Sequence, residues 1–566
     1  MNEKKIIVIG GSAAGPKAAA KAKRVNRRAD VKLFQKEPEL SMATCGYPYY
    51  VGGAFDDRDM LIATPAGVKR DVNFFINVKG VEACVEIEVI SIDRKNHKIV
   101  CKNLNNGGEE AYEYAKLIIC SGSAPKIPPI PGINLKGITP LTRLKDADYL
   151  RKIRDEKKIK KAVVVGGGLI GLETCEALKL AGIEVTVVEM LPQILPFLEA
   201  DFAKLAENYI RSKGVDIIVN DGVVEFFGEN EHLKSVKLKS GKELACELAV
   251  IAIGVSPNSK LAAEAGLDIG EFNGISVNEY MQTSDSDVYA AGDCVEINHL
   301  ITNRKMHAPF GDLANLEGRV AGENAALGNC VTFKGALQTG ICKIFDFSAG
   351  CAGLSAIAAK KAGFTDIVTA VNASPDKPLF MKPNSLISKI IADKKTGAIL
   401  GYQCIGQGDV GRQITTASLA ISGKMKLDDI INLDLPYAPP FSLAIDHFIV
   451  SGHTLQNKIK GRMIGISVKE VYERVVVDKE KVFLLDMRGE NEYEIMRLGV
   501  GEVLIPLGAL TKRLSELPSD KNAEIICFCK VSMRGYEAAI ILNDNGWKNV
   551  KVMEGGIMAW PYSREK

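Results

Sequence analysis

The chain has 566 residues, of which 46% are hydrophobic and 25% charged, the balance of an ordinary globular protein. A formal net charge of only +3 at pH 7 argues against nucleic acid or a membrane surface as partner and favours small molecules. The sequence contains neither a signal-peptide pattern nor a run of about 18 apolar residues. We therefore expect a cytoplasmic protein with several domains, because a single core rarely serves more than about 300 residues.

The first segment predicts a strand, a glycine-rich turn, a helix and a second strand, which is a βαβ unit. Gly10 and Gly15 occupy the outer positions of the dinucleotide motif G-x-G-x-x-G. Ser12 replaces the middle glycine, and Gln35 ends the second strand where an acid is usual. Alone, this unit is weak support for a dinucleotide site, and a purely structural turn is the alternative.

The same unit recurs at residues 162–189, where the motif is complete. Its three glycines are Gly166, Gly168 and Gly171. They allow a pyrophosphate to approach the helix N-terminus, while Glu189 at the end of the next strand can accept from ribose hydroxyls. The two residues after Glu189 are apolar, so no cation awaits the 2′-phosphate of NADPH. The second unit therefore predicts an NADH site.

Two distant segments support the first motif. Gly122 follows one apolar strand, and Asp293 follows another within AAGDC. An aspartate at such a strand end can receive the ribityl hydroxyls of a flavin. Residues 1 to about 450 thus resemble the flavoprotein reductases that have two dinucleotide-binding domains. The resemblance implies that the first motif and these two residues bind FAD.

Cys45 identifies the branch of those reductases. Disulfide reductases of the glutathione-reductase type carry a second cysteine five residues later, where this chain has Tyr50. The segment SMATCGYPYY instead resembles the SFxNCGxPY motif of coenzyme A-disulfide reductases, persulfide reductases, NADH oxidases and NADH peroxidases, with Met42 and Thr44 replacing Phe and Asn. A single thiolate beside a flavin can open a sulfur–sulfur bond. Glu173, after the second motif, is expected to orient the nicotinamide.

The resemblance implies two further roles. Tyr437, in the segment LPYAPPFS, matches a tyrosine that the family lends to the partner subunit's cysteine site, so we expect a homodimer. A rigid proline turn with a packed tyrosine is the alternative. Four basic residues match positions that contact the phosphates of coenzyme A in members that use it, although solvated side chains are the default for such residues. They are Lys21, Arg24, Lys69 and Arg70.

The last hundred residues contain LLDMR, IPLGAL, CKVSMRG and GGIMAW, and they resemble a rhodanese domain. Cys529 follows the apolar segment 524–528 and is predicted to stand at the rim of an anion-binding loop. The N-terminus of the following helix and the guanidinium of Arg534 would both favour its thiolate. The resemblance implies that Cys529 carries persulfide sulfur. Thirteen scattered cysteines otherwise indicate reduced thiols and not a disulfide framework.

The predicted fold class is α/β, with two Rossmann-like dinucleotide-binding domains, an α+β dimerisation domain and an α/β rhodanese domain. The predicted boundaries are 1–150 and 276–330 for FAD binding, 151–275 for NADH binding, 331–455 for dimerisation, 456–463 for a linker and 464–566 for the rhodanese domain. The favoured function is NADH-driven reduction of persulfide, polysulfide or coenzyme A disulfide, with no metal. Two alternatives stay open: an NADH oxidase or peroxidase that cycles Cys45 through sulfenic acid, and a redox-sensing sulfur carrier.

Overall fold

A computed structural model describes residues 4–565. By their internal contacts these residues divide into two units, one of residues 4–190 and 216–336 and the other of residues 191–215 and 337–565. Within the described residues, no helix is long and apolar enough to cross a membrane. The same residues hold no group of three His, Cys, Asp or Glu side chains that could bind a metal ion.

The first sheet of the first unit has five parallel strands. In sheet order they are Val288–Ala290, Lys116–Ile119, Lys5–Ile9, Asp30–Phe34 and Glu82–Cys84. Helix Ala14–Val25 packs against helix Gly311–Leu327 through small residues. A Cβ atom at Gly318 would lie 2.4 Å from the Ala14 carbonyl oxygen, so only glycine permits this approach. The sheet joins strands from the two ends of the unit.

The second sheet is also parallel. Its strands are Asp216–Ile218, Glu184–Val188, Lys161–Val165, Leu248–Ile251 and Ile138–Pro140, and helix Leu169–Leu180 packs against it. Helix Leu144–Glu156 packs instead against helix Tyr47–Gly52. The predicted boundary at residue 150 assigns Ile138–Pro140 to the FAD domain, yet the strand pairs with Leu248–Ile251. A strand of three residues is too short for its apolar pattern to reveal its sheet.

Shorter elements complete the first unit. Its remaining strands are Ser123–Pro125 with Val255–Pro257; Ile87–Asp93, Lys98–Asn103 and Glu109–Glu113; Val223–Glu229, His232–Leu238 and Glu243–Ala245; and Ile275–Ser276, Val295–Asn298 and Lys305–Met306. Its remaining helical segments are Thr44–Gly46, Tyr47–Gly52, Arg58–Ile62, Val72–Phe74, Phe75–Lys79 and Lys260–Glu264.

An antiparallel sheet forms the first half of the second unit. Its strands in order are Gly340–Ile344, Phe347–Gly353, Ile399–Gly406, Ser385–Asp393 and the edge strand Ile367–Pro375. Its helical segments are Ala200–Ser212, Ala356–Ala362, Leu379–Met381, Val410–Ser422, Leu427–Ile430 and His447–Ile459. The last helix is capped by Asp446, whose carboxylate accepts from the Phe448 N–H at 2.9 Å. Because this helix continues to Ile459, the first half of the predicted linker at 456–463 is helical.

The end of the chain forms a five-stranded parallel sheet. Its strands in order are Gly465–Ile466, Asn549–Met553, Glu524–Phe528, Phe483–Asp486 and Val503–Leu504. Its helical segments are Val468–Tyr472, Glu473–Val477, Glu490–Ile495, Leu507–Lys512, Leu514–Glu516, Met533–Asp544 and Gly556–Ala559. The strand before Cys529 has the predicted bounds. The structure thus confirms the predicted fold class.

Candidate active site

The two glycine motifs have the same local geometry. A Cβ at Gly15 would lie 1.8 Å from the Gly10 carbonyl oxygen, and a Cβ at Gly171 would lie 2.1 Å from that of Gly166. Glycine is therefore required where each helix approaches its strand. A Cβ at the middle glycine, Gly168, would meet nothing within 4 Å. That free space explains why the first motif can carry Ser12 at the same position.

The helices after both motifs are suited to bind phosphate. Helices Ala14–Val25 and Leu169–Leu180 have no side-chain cap and no acidic residue in the first turn. Their first N–H groups and the positive end of the helix dipole remain for an anion. Both motifs therefore fit the pyrophosphate of a dinucleotide.

The residues that end the second strands also correspond. Gln35 accepts from the Gly11 N–H through Oε1 at 3.0 Å, and Glu189 accepts from the Gly167 N–H through Oε2 at 2.7 Å. Gln35 thus holds its turn in the way that Glu189 holds the second turn, but without charge. The Gln35 amide also donates to the Glu39 carbonyl oxygen at 3.3 Å. Glutamine in place of the usual acid at position 35 therefore keeps the hydrogen bond that shapes the turn.

Asp293 and Gly122 lie at neighbouring strand ends of the first sheet. The Ser123 hydroxyl donates to Asp293 Oδ2 at 2.9 Å, and burial raises the pKa of Asp293. The buried carboxyl of Glu317 accepts from the Gly292 N–H at 2.7 Å and thereby fixes the turn before Asp293. This arrangement holds a buried carboxyl ready for hydroxyl groups, which fits the predicted flavin ribityl chain.

Cys45 is solvent-exposed in the short helical turn Thr44–Gly46. A Cβ at Gly311 would lie 3.7 Å from the Cys45 Sγ, so the uncapped N-terminus of helix Gly311–Leu327 adjoins the thiol. Desolvation raises the pKa of the Cys45 thiol, and the carboxylates of Glu173 and Asp293 raise it further, against a hydrogen bond with Thr44 that lowers it. A carboxylate from the helix of the second motif and one from the AAGDC segment therefore act on one sulfur atom.

Glu173 connects the second motif to the cysteine segment. The Tyr49 hydroxyl lies 3.5 Å from Glu173 Oε1, and helix Tyr47–Gly52 packs against the helix that carries Glu173. Burial raises the pKa of Glu173 to about 7, with a smaller contribution from Glu176. This carboxyl can hold or release a proton beside Cys45 at neutral pH. The sequence reasoning did not identify Tyr49, although it belongs to the quoted cysteine motif.

A basic cavity of about 300 Å³ lies beside the first motif. Of the four predicted basic residues, Arg24 and Arg70 line it. Lys21 instead pairs with Glu323 at 2.8 Å, and Lys69 pairs with Asp59 at 3.0 Å. These two lysines are satisfied by carboxylates outside the cavity, so their predicted contact with phosphate lacks geometric support.

Lys17 and Lys79 line the same cavity, although the sequence did not predict them as site residues. Burial lowers the pKa of Lys17, and the positive charges of Arg319, Arg70, Arg24 and Lys79 lower it further. The crowded cations would be relieved by a bound polyanion. Lys17 precedes Arg24 by seven residues on one helix, a spacing that places both on the same face and could have identified it.

Tyr437 is exposed in the proline-rich segment, with 54% of its surface accessible. The Arg412 guanidinium donates to the carbonyl oxygens of Phe441 at 2.7 Å and Pro436 at 3.5 Å, on either side of Tyr437. Asp446 holds the same guanidinium at 2.5 Å. Arg412 thus fixes the loop that presents Tyr437, a role no sequence signal indicated.

Cys529 differs from the prediction in one respect, because it is buried, with only 1% of its surface exposed. The Arg534 guanidinium interacts electrostatically with the Cys529 sulfur and makes a bidentate pair with Glu492 at 2.6 and 2.8 Å. That pair lowers the pKa of Glu492 to about 2 and raises the pKa of Arg534. The loop ends at Ser532, which has a left-handed φ of 84° and donates to the Met553 carbonyl oxygen at 3.0 Å.

Two dinucleotide motifs, together with an exposed thiol beside Glu173 and Asp293, are the features of an oxidoreductase that passes electrons from a nicotinamide to sulfur. The pyridine nucleotide-disulphide oxidoreductase family model matches residues 4–309, its dimerisation-domain model matches residues 339–448, and the rhodanese-like domain model matches residues 467–562. The chain belongs to the pyridine nucleotide-disulphide oxidoreductase family. The predicted resemblance is thereby confirmed, and membership implies FAD and a nicotinamide as cofactors.

Individual relatives agree with this assignment. The structure of an NAD-dependent persulfide reductase from A. fulgidus is 38% identical, covers 98% of this chain and 100% of its own, and superposes with a TM-score of 0.93. An NAD(P)H coenzyme A polysulfide/persulfide reductase from Pyrococcus horikoshii is 34% identical over 80% of this chain and 99% of its own. A protein from Methanocaldococcus jannaschii named NADH oxidase is 33% identical over 81% of this chain and 99% of its own.

Proposed function

We propose that this protein is an FAD-dependent NADH:persulfide or polysulfide reductase that also reduces coenzyme A disulfide. The observation that carries the proposal is the position of Cys45, an exposed thiol next to the carboxyls of Glu173 and Asp293, in a chain that also carries the Cys529 loop. The similarity to the A. fulgidus persulfide reductase over nearly the full chain supports it.

Cys45 would open the sulfur–sulfur bond. Its thiolate attacks one sulfur of a persulfide RSSH, a Cys45–SR bond forms, and hydrosulfide leaves. Two electrons and a proton then convert the mixed disulfide to the Cys45 thiolate and RSH. FAD, when bound, supplies the route by which these electrons pass from NADH to the sulfur. Glu173 Oε1 would hold the proton that the departing sulfur requires.

The basic cavity would bind coenzyme A. Lys17, Arg24, Arg70 and Lys79 gather around it, and its lining continues to Met42 and Ala43, just before Cys45. A ligand with phosphates at one end and a sulfur at the other would match this arrangement. The name of the Pyrococcus horikoshii relative supports coenzyme A as that ligand. Mass spectrometry of the small molecules released from purified protein tests this identification.

A homodimer would complete the cysteine site. Large apolar side chains are exposed in two loops of the dimerisation domain: Phe441 and Ile445 follow Tyr437 in the chain, and Leu379 and Phe380 lie in the other loop. Exposed apolar side chains of this kind favour burial against another surface, and the dimerisation-domain match supports a second copy as the partner. Tyr437 would then donate a proton or hydrogen bond to sulfur at the Cys45 site of the other copy.

Cys529 would accept sulfane sulfur from a donor and deliver it to the reductase. The adjacent Arg534 supplies positive charge for a thiolate or persulfide anion. None of the thirteen cysteines, all of which lie in the described part of the chain, forms a disulfide. This supports a reducing compartment, and we propose the cytoplasm.

NADH oxidase activity is the second candidate, because the Methanocaldococcus jannaschii relative bears that name. Two sets of assays separate the candidates: NADH consumption is measured without oxygen in the presence of polysulfide, coenzyme A persulfide or coenzyme A disulfide, and separately with oxygen or peroxide as the only acceptor. The proposal expects turnover with sulfur substrates in the absence of oxygen. Turnover only with oxygen or peroxide would favour the oxidase or peroxidase, whereas sulfur transfer without NADH consumption would favour a redox-sensing carrier.

A further inference from the structure

The edge strand Ile367–Pro375 has backbone groups that point away from its sheet. Unpaired groups on such an edge normally require water or another chain. Here the Val371 N–H donates to Glu554 Oε2 at 2.9 Å, and the Thr369 carbonyl oxygen accepts from Lys458 Nζ at 2.6 Å. Lys458 also forms an ion pair with Glu554, so two side chains cover the edge together.

Glu554 lies within the rhodanese-like match and Val371 within the dimerisation-domain match. Lys458 lies between the two matches, near the end of helix His447–Ile459. The Glu554 carboxyl is almost completely buried, with 5% of the residue exposed. A buried charge that is hydrogen-bonded and paired in this way strongly resists separation from its partners. A second contact joins the same regions, because the Asn208 amide donates to the Pro561 carbonyl oxygen at 2.5 Å.

The turn that carries Glu554 also supports the Cys529 loop. A Cβ at Gly555 would lie 2.9 Å from Val371 Cγ1, and a Cβ at Gly556 would lie 2.3 Å from the Cys529 carbonyl oxygen. The Ile557 N–H donates to that same oxygen at 3.0 Å. One turn therefore contacts the edge strand on one side and the sulfur-binding loop on the other.

We propose that Glu554 is a positioning residue that latches the rhodanese domain to the edge strand, so that the Cys529 loop keeps a fixed place during turnover. The latch closes across the short segment after helix His447–Ile459, because Lys458 lies at the end of that helix. The latch opposes movement of this segment, residues 457–462, and of the rhodanese domain that follows it. Its consequence for sulfur delivery rests on the proposed function of Cys529.

Hydrogen exchange of the FAD-loaded full-length protein tests the latch without turnover. Glu554→Ala and Lys458→Met should each accelerate exchange of the Val371 amide by about tenfold or more, because its buried acceptor is lost or left unpaired. Limited proteolysis should likewise become faster between residues 460 and 466. Glu516→Gln, which breaks an exposed pair with Arg513 in the same domain, is the matched control and should change neither.

Lys458→Met separates loss of the latch from misfolding of the rhodanese domain, because Lys458 lies outside that domain. This variant should retain NADH-driven reduction of a small persulfide while slowing reduction from bulky donors that load Cys529. Unchanged exchange at Val371 in both latch variants would overturn the proposal. If Cys529→Ser leaves all NADH-coupled rates intact, sulfur delivery fails as a function, but the exchange result still decides whether the latch exists.

Discussion

The two sulfur sites place a thiol in opposite electrostatic surroundings. Cys45 is exposed and has the carboxyls of Glu173 and Asp293 as its charged neighbours, which together with desolvation raise the pKa of its thiol. Cys529 is buried, and its sulfur interacts electrostatically with the guanidinium of Arg534. The charged group that acts on Cys529 is thus a cation, whereas those that act on Cys45 are carboxylates. We propose that this contrast serves storage of sulfur at Cys529 and redox turnover at Cys45.

Replacing the redox thiol should have the largest effect. Cys45→Ser should abolish NADH-driven reduction of every sulfur substrate, because Cys45 is the thiol proposed to open the sulfur–sulfur bond. Bound FAD, measured by its visible absorbance, should be retained. Cys330→Ser removes another exposed thiol and should leave the rate unchanged. Normal steady-state polysulfide reduction by the Cys45 variant would contradict the mechanism.

Replacing Cys529, the thiol proposed to store sulfur, should affect some sulfur donors and not others. Cys529→Ser should slow reduction of bulky donors that must load the rhodanese loop, and it should spare small persulfides that reach Cys45 directly. Cys527→Ser is the control, since Cys527 is buried two residues earlier on the same strand. The rate of NADH consumption, measured with a bulky donor and with a small persulfide, tests this difference between the two donor types. If every donor keeps its wild-type rate in the Cys529 variant, the rhodanese domain has a separate task.

The nicotinamide preference is a smaller effect, and it should concern only the reductase reaction at Cys45. Glu189 would face the 2′-phosphate of NADPH, so NADH should exceed NADPH by roughly tenfold or more in kcat/KM. Glu189→Ala should narrow that ratio, whereas Glu184→Ala, an exposed residue of the same strand, should preserve it. The sulfur transfer proposed for Cys529 requires no nicotinamide, so its rate should be the same in Glu189→Ala as in the unaltered protein. Equal kcat/KM values for both cofactors in the unaltered protein would disprove the assignment.

Local sequence predicted the parallel sheets well, because each combines a buried apolar strand with a glycine turn and a helix. Even the irregular first motif follows this rule, since Gln35 accepts from its turn in the same way as Glu189. The cysteine loop of the rhodanese domain was found for the same reason. Its burial was missed because the covering residues come from elsewhere in the chain.

Features assembled from distant segments were not predictable. Lys79 joins Lys17 in one cavity only through tertiary packing. The pairing of Ile138–Pro140 with the second sheet depends on a strand more than a hundred residues away. Glu554 has no signature as a docking residue, because its partner at Val371 is a backbone group. Such contacts form between segments that are far apart in the chain, so a pattern of neighbouring residues does not predict them.

The smallest expected effect is a shift in the titration of Cys45. Burial places the pKa of Glu173 at about 7, so this carboxyl is charged over the higher pH range in which a thiol ionises. Its negative charge disfavours the Cys45 thiolate. Glu173→Gln removes that charge and should move the pH profile of Cys45 alkylation by iodoacetamide to lower pH, by roughly half a unit to one unit.

The direction of this shift separates an electrostatic role of Glu173 from a purely structural one. Below about pH 7 the carboxyl is protonated in the unaltered protein, so the alkylation rates of the two proteins should converge there. Glu176→Gln, on the same helix, should produce a smaller shift, because Glu176 acts on Glu173 and is not among the charges that raise the pKa of Cys45. Alkylation that moves to higher pH in Glu173→Gln would mean that Glu173 supports the thiolate, and the electrostatic contrast between the two sulfur sites would then disappear.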